Sequence, residues 1–136
     1  LSQETMIVGY ELPAIIHPTA TLLNNRSAPA GIVVYPNVTV MSDCILSQGV
    51  LLNAGSTLGH DVEIGEYTSV GPGSNLAGQI TVGSHAYLGI GCTVRENTTI
   101  GDHAFVGAGS LVLEDVPPYT MVRGVPAKPI RKLNHD

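Results

Sequence analysis

Aliphatic side chains recur at every sixth position over most of this chain. Counted in steps of six from residue 16 to residue 112, seventeen successive positions hold sixteen Leu, Ile or Val residues and one Ala. Four residues after each aliphatic there is mostly a small side chain, as at Cys44, Ser74, Cys92 and Ala104. Chance does not produce a run of this length, so the six-residue repeat is the strongest signal in the sequence.

Glycine recurs one residue after these aliphatics. Between residues 59 and 107 it holds seven of nine such positions, and the exceptions are Ala77 and Arg95. Because glycine adopts turn conformations that other residues avoid, we expect a sharp turn at each of these sites. The strands between them are then so short that each must pair with the strand three repeats later, one coil away. This predicts an all-β protein, a parallel β-helix whose stacked coils enclose an unbroken aliphatic column.

The extent of the repeat divides the chain into three segments. Residues 1–15 show no repeat and are expected to form a leader or linker, 16–117 the β-helix, and 118–136 a short C-terminal tail. Two successive prolines end the β-helix, because neither can donate a ladder hydrogen bond. We expect the tail to be a loop folded back on the β-helix, with a helical turn near its end. The flat faces of such a fold are natural association surfaces, so we expect an oligomer.

Composition describes a folded, acidic protein. The 136 residues suit one domain, and 43% hydrophobic with 12% charged residues argues against disorder. The sequence contains neither an apolar run of membrane-spanning length nor a signal-peptide pattern, which favours a cytoplasmic protein away from the membrane. A net charge of −5 does not suit nucleic acid. Four of the six cations fall within the last fourteen residues, where they either form a solvated charged tail or meet a small anion such as phosphate: Arg123, Lys128, Arg131 and Lys132.

The two cysteines, Cys44 and Cys92, are expected to pack in the core. Both hold the small position of the repeat, and they do not form a metal-binding motif. Their separation of 48 residues is not a multiple of the 18-residue coil, which argues against a disulfide between them.

His60 and Asp61 form the residue pair best suited to proton transfer. His60 follows the inward Leu58 by two residues, so we expect its side chain at a turn outside the core. One coil later the same place is held by Gly78, which we expect to leave room for a ligand and to expose its backbone N–H. Asp61 can orient the imidazole, and a neutral imidazole suits a general base. A surface histidine without a catalytic role is the alternative.

Two other histidines, His85 and His103, are one coil apart and are expected to stack on another face. A stacked pair can bind a metal, but no third histidine has the phase to complete a tetrahedral set. An exposed ladder pair is therefore favoured, and no metal is expected. His17 and His135 lie near the ends of the chain and are assigned no chemistry.

Several runs resemble known acyltransferases. The run Asn53-Ala-Gly-Ser-Thr-Leu-Gly-His-Asp-Val-Glu-Ile-Gly-Glu and the run Gly71-Pro-Gly-Ser-Asn-Leu-Ala-Gly are similar to sialic acid O-acetyltransferases and bacillosamine-type nucleotide-sugar N-acetyltransferases. Val106-Gly-Ala-Gly-Ser-Leu-Val and Gly124-Val-Pro-Ala-Lys resemble the end of hexapeptide-repeat acyltransferases generally. The similarity extends from about residue 15 to residue 132.

This resemblance implies a left-handed β-helix that forms homotrimers, with acetyl-CoA between neighbouring subunits and a sugar or nucleotide-sugar acceptor. His60 matches the catalytic base, Asp61 the acidic residue that positions it, and Asn53 an active-site asparagine. The resemblance also assigns contacts with acetyl-CoA. It implies that the backbone amide of Gly78 faces the thioester and that the backbones of Ile90 and Ala108 contact the pantetheine arm. By the same resemblance, Lys128 lies in a loop near the CoA nucleotide.

The chain departs from its relatives in two ways. Ser69, which is expected among the cofactor-binding residues, stands where relatives often carry a second histidine, so the polar contact to the ligand at that position differs from theirs. Relatives also commonly have an N-terminal nucleotide-binding domain, and residues 1–15 are expected to be the segment just after such a domain.

Three other functions suit the sequence less well. A γ-type carbonic anhydrase needs three histidines around a metal, and the spacing of 60, 85 and 103 does not supply them. A serine acetyltransferase would have a larger helical N-terminal region. A non-catalytic scaffold of the ice-binding kind would have ordered threonine ranks, and we expect the threonines here to be scattered. Whether nitrogen or oxygen is acetylated stays open.

Overall fold

The computed structural model describes residues 12–23 and 26–135, which form strands and turns. Sixteen strands of two residues precede two longer ones, and the described residues contain no helix, so none that could span a membrane. The strands form three sheets that we call A, B and C. Sheet A comprises β1 (Ile15–Ile16), β3 (Val33–Val34), β6 (Leu51–Leu52), β9 (Ser69–Val70), β12 (Tyr87–Leu88), β15 (Phe105–Val106), β17 (Thr120–Gly124) and β18 (Ala127–Lys132).

Sheets B and C form the other two sides of the β-helix. Sheet B comprises β2 (Thr21–Leu22), β4 (Thr39–Val40), β7 (Thr57–Leu58), β10 (Asn75–Leu76), β13 (Thr93–Val94) and β16 (Leu111–Val112). Sheet C comprises β5 (Ile45–Leu46), β8 (Glu63–Ile64), β11 (Thr81–Val82) and β14 (Thr99–Ile100). The chain passes from A to B to C and back, and the turns stack at three corners, here named AB, BC and CA.

Each short strand pairs in parallel with the strand one coil later, as the repeat predicts. Leu58 is opposite Leu76, and Leu76 is opposite Val94, each 18 residues further along the chain. The coils form a β-solenoid of about six turns, consistent with the left-handed β-helix that the resemblance implies. The predicted fold class is therefore confirmed.

The core of the solenoid consists of the two predicted inward columns. From Val34 to Val112 the aliphatic column is buried, apart from the half-buried Leu46. The column of small residues is buried with it and includes both cysteines. In the first coil, by contrast, Ile16 and Leu22 are each 37% exposed, and that coil has no strand in sheet C.

The recurring glycines serve close packing between coils, and the sharp turn lies elsewhere. A Cβ at Gly59 would meet the backbone of Ala77 at 2.8 Å, and one at Gly65 would meet Gly83 at 2.5 Å. The left-handed φ angles fall two residues later in each turn, as at Asp61 (58°) and His85 (56°). The expectation of a sharp turn at the glycine itself was wrong, because the lack of a Cβ is needed there for space.

The threonines are also more ordered than expected. On the outward face of sheet B, Thr21, Thr39 and Thr57 are successive partners, and the same column continues through Asn75 to Thr93. The prediction of scattered threonines was wrong, because residues that differ by 18 share a column.

The tail continues the solenoid on one side. Strand β17 pairs in parallel with β15, so the ladder of sheet A extends beyond Pro117 and Pro118. Strand β18 then pairs antiparallel with β17. The expected loop with a helical turn is a β-hairpin in the described tail, because the prolines occupy only the turn that precedes β17.

Candidate functional site

His60 and Asp61 lie on the turn between β7 and β8, at the BC corner. Their side chains are 59% and 52% exposed, and His60 Nδ1 is 2.8 Å from Asp61 Oδ2. A carboxylate only accepts hydrogen bonds, so the proton is assigned to Nδ1, which donates to Asp61. That tautomer leaves the lone pair on Nε2. Asp61 adopts a left-handed φ of 58°, a conformation that aspartate tolerates better than most residues.

The imidazole of His60 lies over Gly78, one coil later. A Cβ on Gly78 would be 2.5 Å from Nε2 and 2.8 Å from Cε1 of His60. The space at Gly78 is therefore filled by the ring of His60. The expectation that this glycine leaves room for a ligand was wrong, because the room is used by the imidazole itself. Any larger residue at position 78 would push the ring away.

Three of the residues predicted to contact acetyl-CoA share one backbone feature. Gly78, Ile90 and Ala108 are each the second residue of a turn. Among the residues that the structure describes, their N–H groups donate to no other protein group. These amides are therefore available to a ligand with carbonyl oxygens.

The predicted site residues lie at two corners of the chain. Ile90 (59% exposed) and Ala108 are stacked at the AB corner, on the turns that follow β12 and β15. Asn53 begins an earlier turn of the same corner. The β17–β18 turn reaches it too, since the Gly124 amide donates to Ser110 Oγ at 3.2 Å, and the exposed Lys128 follows that turn.

Ser69 lies apart from both groups, on the outward face of sheet A. It is half-buried between its ladder partners Leu51 and Tyr87. Tyr87 stacks on Phe105 with ring centroids 4.8 Å apart. From β1 to β17 the outward column of sheet A is otherwise apolar: Ile15, Val33, Leu51, Tyr87, Phe105 and Met121. The last strand, β18, adds Arg131 opposite Met121.

The predicted site residues of one chain are therefore divided between two corners. His60, Asp61 and Gly78 share the BC corner, whereas Ile90 and its neighbours share the AB corner, across the width of sheet B. Two of the surface depressions lie near the N-terminal end and a third near β16 and the tail; His60 lines none of these three.

The histidine pair is part of a longer ring ladder at the CA corner. His85 and His103 stack with centroids 5.0 Å apart, which confirms the predicted pair. Tyr67 stacks below His85 at 5.5 Å, Tyr119 above His103 at 4.6 Å, and His135 contacts Tyr119 at 3.8 Å. Tyr67 could have been found from its 18-residue spacing, but Tyr119 and His135 could not, because the last coil is shorter. No group of three His, Cys, Asp or Glu suited to a metal occurs within residues 12–23 and 26–135.

Comparison with known proteins shows the family of the chain. The model of the bacterial transferase hexapeptide family (six repeats) matches residues 43–78 and 79–114, more than half of the sequence. This chain belongs to the bacterial hexapeptide transferase family. The resemblance drawn from its motifs is confirmed. No curated protein sequence matches the chain significantly.

Solved structures with the same fold include sugar acetyltransferases. PerB from Caulobacter crescentus, solved with CoA and GDP-perosamine, is 33% identical with a TM-score of 0.91 over 95% of this chain and 62% of PerB. The acetyltransferase domain of PglB from Neisseria gonorrhoeae is 32% identical with a TM-score of 0.91, over 94% of this chain and 62% of that one. WeeI from Acinetobacter baumannii is 26% identical with a TM-score of 0.89, over 94% and 63%. The chain thus spans less than two thirds of these relatives.

Proposed function

We propose that this chain is an acetyltransferase that moves the acetyl group of acetyl-CoA to the amino group of a sugar or nucleotide sugar. The observation that carries the proposal is the His60–Asp61 pair, exposed at a corner and held over Gly78 in a transferase family. It is further supported by the CoA and GDP-perosamine bound to PerB, which covers almost the whole chain. We place the reaction in the cytoplasm, where acetyl-CoA is a co-substrate for sugar metabolism.

The proton transfer follows from the tautomer of His60. As the nitrogen of the acceptor amine attacks the acetyl carbonyl carbon, His60 Nε2 takes a proton from that amine. The C–N bond forms, the C–S bond breaks, and the proton held by His60 is passed to the departing CoA thiolate. The N–H of Gly78 is proposed to stabilise the charge that develops on the carbonyl oxygen. Asp61 keeps Nδ1 protonated and the ring oriented throughout.

We also propose that the site is shared between the subunits of a homotrimer. The matched residues lie at two different corners of one chain, and a neighbour that supplies one of these corners would bring them together in a single site. The apolar outward column of sheet A supports this contact, because sheets B and C present Thr, Asn or Glu at several outward positions. A head-to-tail contact of this kind closes into a ring when three copies assemble. In that arrangement Ser69 lies within the contact, close to the ligand.

The test is a turnover assay with acetyl-CoA that measures release of the CoA thiol. GDP-perosamine is the first acceptor to try, followed by other nucleotide-linked amino sugars, free sialic acid and polysaccharide. We expect turnover with an amino sugar and loss of it in His60→Ala. Turnover confined to hydroxyl acceptors would contradict N-acetylation, and an equally active His60→Ala variant would remove the mechanism. Sedimentation analysis of the purified protein tests the trimer separately.

A further inference from the structure

A set of interior hydrogen bonds links the core of the solenoid to its turns. Cys44 Sγ donates to the carbonyl oxygen of Gly59 at 3.1 Å. Thr68 Oγ1 donates to the carbonyl oxygen of Gly83 at 2.7 Å. Ser74 Oγ donates to the carbonyl oxygen of Gly89 at 2.9 Å. In each case the small inward residue that ends one turn holds the carbonyl that begins the turn one coil later.

This bond is a feature of particular coils. Ser56 occupies the equivalent inward place, yet its hydroxyl has no partner in the described part of the chain. The inward position that ends a turn is occupied in other coils by valines, which have no donor: Val38, Val50 and Val62. The repeat therefore folds with or without the bond.

Two of the three bonds end directly beside proposed site residues. Gly59, held by Cys44, immediately precedes His60. Gly89, held by Ser74, immediately precedes Ile90, whose amide is proposed to contact the pantetheine arm. The third bond, from Thr68, ends at Gly83 on a turn of the CA corner that carries the ring ladder and no proposed site residue, although Thr68 itself precedes Ser69.

We propose that Cys44 and Ser74 are positioning residues for the transfer reaction: Cys44 fixes the turn that carries His60, and Ser74 fixes the turn that carries Ile90. This rests on the proposed function and adds to it two buried residues that touch neither substrate. The separation of the corners gives each residue a different effect. Cys44 acts on the catalytic step, whereas Ser74 acts on the binding of CoA.

The surroundings of Cys44 agree with a role as hydrogen-bond donor. Its side chain is fully buried, and burial is the largest cause of a raised thiol pKa, to which the charges of Asp61 and Asp43 add. Hydrogen bonds from the backbone of Val62 and Asp61 lower that pKa, but the net shift is upward. The thiol thus stays protonated and lies against the same turn that carries His60.

The experiment compares three variants that remove one interior donor each; Thr68→Val also removes the acceptor of the Ala86 amide, and Ser74→Ala the acceptor of the Cys92 thiol. Cys44→Val and Thr68→Val keep a side chain that the repeat accepts at inward positions, and Ser74→Ala leaves only a small gap. Cys44→Ser and Ser74→Thr restore a donor and serve as conservative rescues. For each variant, kcat and KM are measured with acetyl-CoA and GDP-perosamine, CoA binding by calorimetry, and the His60 ring signals by NMR. Thermal unfolding and sedimentation verify that each variant is folded and assembled.

We expect Cys44→Val to lower kcat about tenfold, with CoA affinity unchanged and His60 signals shifted, since a lost buried hydrogen bond is worth about that factor. Ser74→Ala should weaken CoA binding about three- to tenfold with kcat retained. Thr68→Val should alter neither, and both rescues should return towards the parent values. The proposal is overturned when Cys44→Val keeps the parent kcat and His60 signals, or when Thr68→Val lowers kcat as much.

The failure of the proposed function looks different. In that case the parent protein does not turn over any acceptor, or His60→Ala is as active as the parent. A parent that is active and a His60→Ala variant that is not, together with unchanged Cys44→Val and Ser74→Ala variants, would reject the positioning roles alone.

Discussion

The two corners at the edges of sheet B expose different kinds of atoms. The BC corner presents the titratable side chains of His60 and Asp61, whose Nδ1 and Oδ2 atoms are 2.8 Å apart. The AB corner presents backbone amides, at Ile90 and Ala108, and has the exposed Lys128 nearby. A side chain can change its protonation state during a reaction, and the proposed oxyanion donor, the N–H of Gly78, also lies at the BC corner, whereas the amides at the AB corner are proposed only to bind the pantetheine arm. Substitutions at the BC corner should therefore act on kcat, and those at the AB corner on KM.

The largest effect is expected for removal of the imidazole. General-base help is worth roughly 10²–10⁴ in rate, so His60→Ala should lower kcat by that factor. Because the ring is exposed, the fold, the assembly and CoA binding should be preserved. Steady-state kinetics with calorimetry for CoA checks both parts. Equal losses in kcat and in CoA affinity would contradict the assignment of catalysis to the BC corner and of CoA binding to the AB corner.

A second test moves the imidazole without removing it. In Gly78→Ala the new methyl group collides with the His60 ring, and we expect kcat to fall roughly ten- to a hundredfold, as for a misplacement of about 1 Å. The backbone φ of Gly78 lies outside the left-handed region, so stability should change little. The double variant His60→Ala/Gly78→Ala is the control. It should be no less active than His60→Ala alone, and additive losses would contradict the contact.

The AB corner can be probed by removing one amide hydrogen. Ala108→Pro should raise the KM for acetyl-CoA about three- to tenfold with kcat unchanged, since one hydrogen bond is lost. The fold should accept the change, because Pro36 and Pro72 occupy equivalent turn positions at the same corner. Ala54→Pro is the matched control at an equivalent position without a proposed contact. A rise in KM of the same size in both variants would show a general effect of proline.

The smallest effect concerns the buried thiols under the two corners. Burial raises the pKa of both Cys44 and Cys92 above its ordinary value near 9. A raised folded-state pKa gives stability that is complete below the unfolded pKa and is lost as pH rises through the folded one. Stability should therefore fall above about pH 9, and Cys44→Val/Cys92→Ala should make the fall shallower. Chemical denaturation from pH 7 to pH 10 measures this, and identical slopes would contradict it.

The sequence predicts the solenoid well because its core is periodic. The column from Val34 to Val112 could be read by counting in sixes, and the stacking of His85 on His103 by counting in eighteens. Counting did not reveal why Gly78 is small, since that depends on the direction in which the His60 ring turns. It also did not reveal the hairpin of β17 and β18, because the prolines change the period just before it.

The proposed sharing of the site between subunits comes from the family resemblance, and counting along the sequence does not indicate it. The resemblance matched His60 and Ile90 to one ligand, but only the register places them at different corners of one chain. The six-residue repeat predicts that Cys44 and Ser74 are small core residues, but it does not predict the hydrogen bonds that they donate. The proposed roles of Cys44 and Ser74 follow from the turns one coil later, whose carbonyl oxygens accept their hydrogen bonds.

The most direct measurement is the activity of mixed trimers. His60→Ala and Ile90→Pro/Ala108→Pro are each weakened at one corner, and they are co-expressed in equal amounts and assayed below the KM for acetyl-CoA. A site shared between neighbours regains both intact corners in about a quarter of the combinations, so activity should rise to about that fraction of the parent. Mixed trimers that show only the average of the two parental variants would contradict a site built from two copies of the chain.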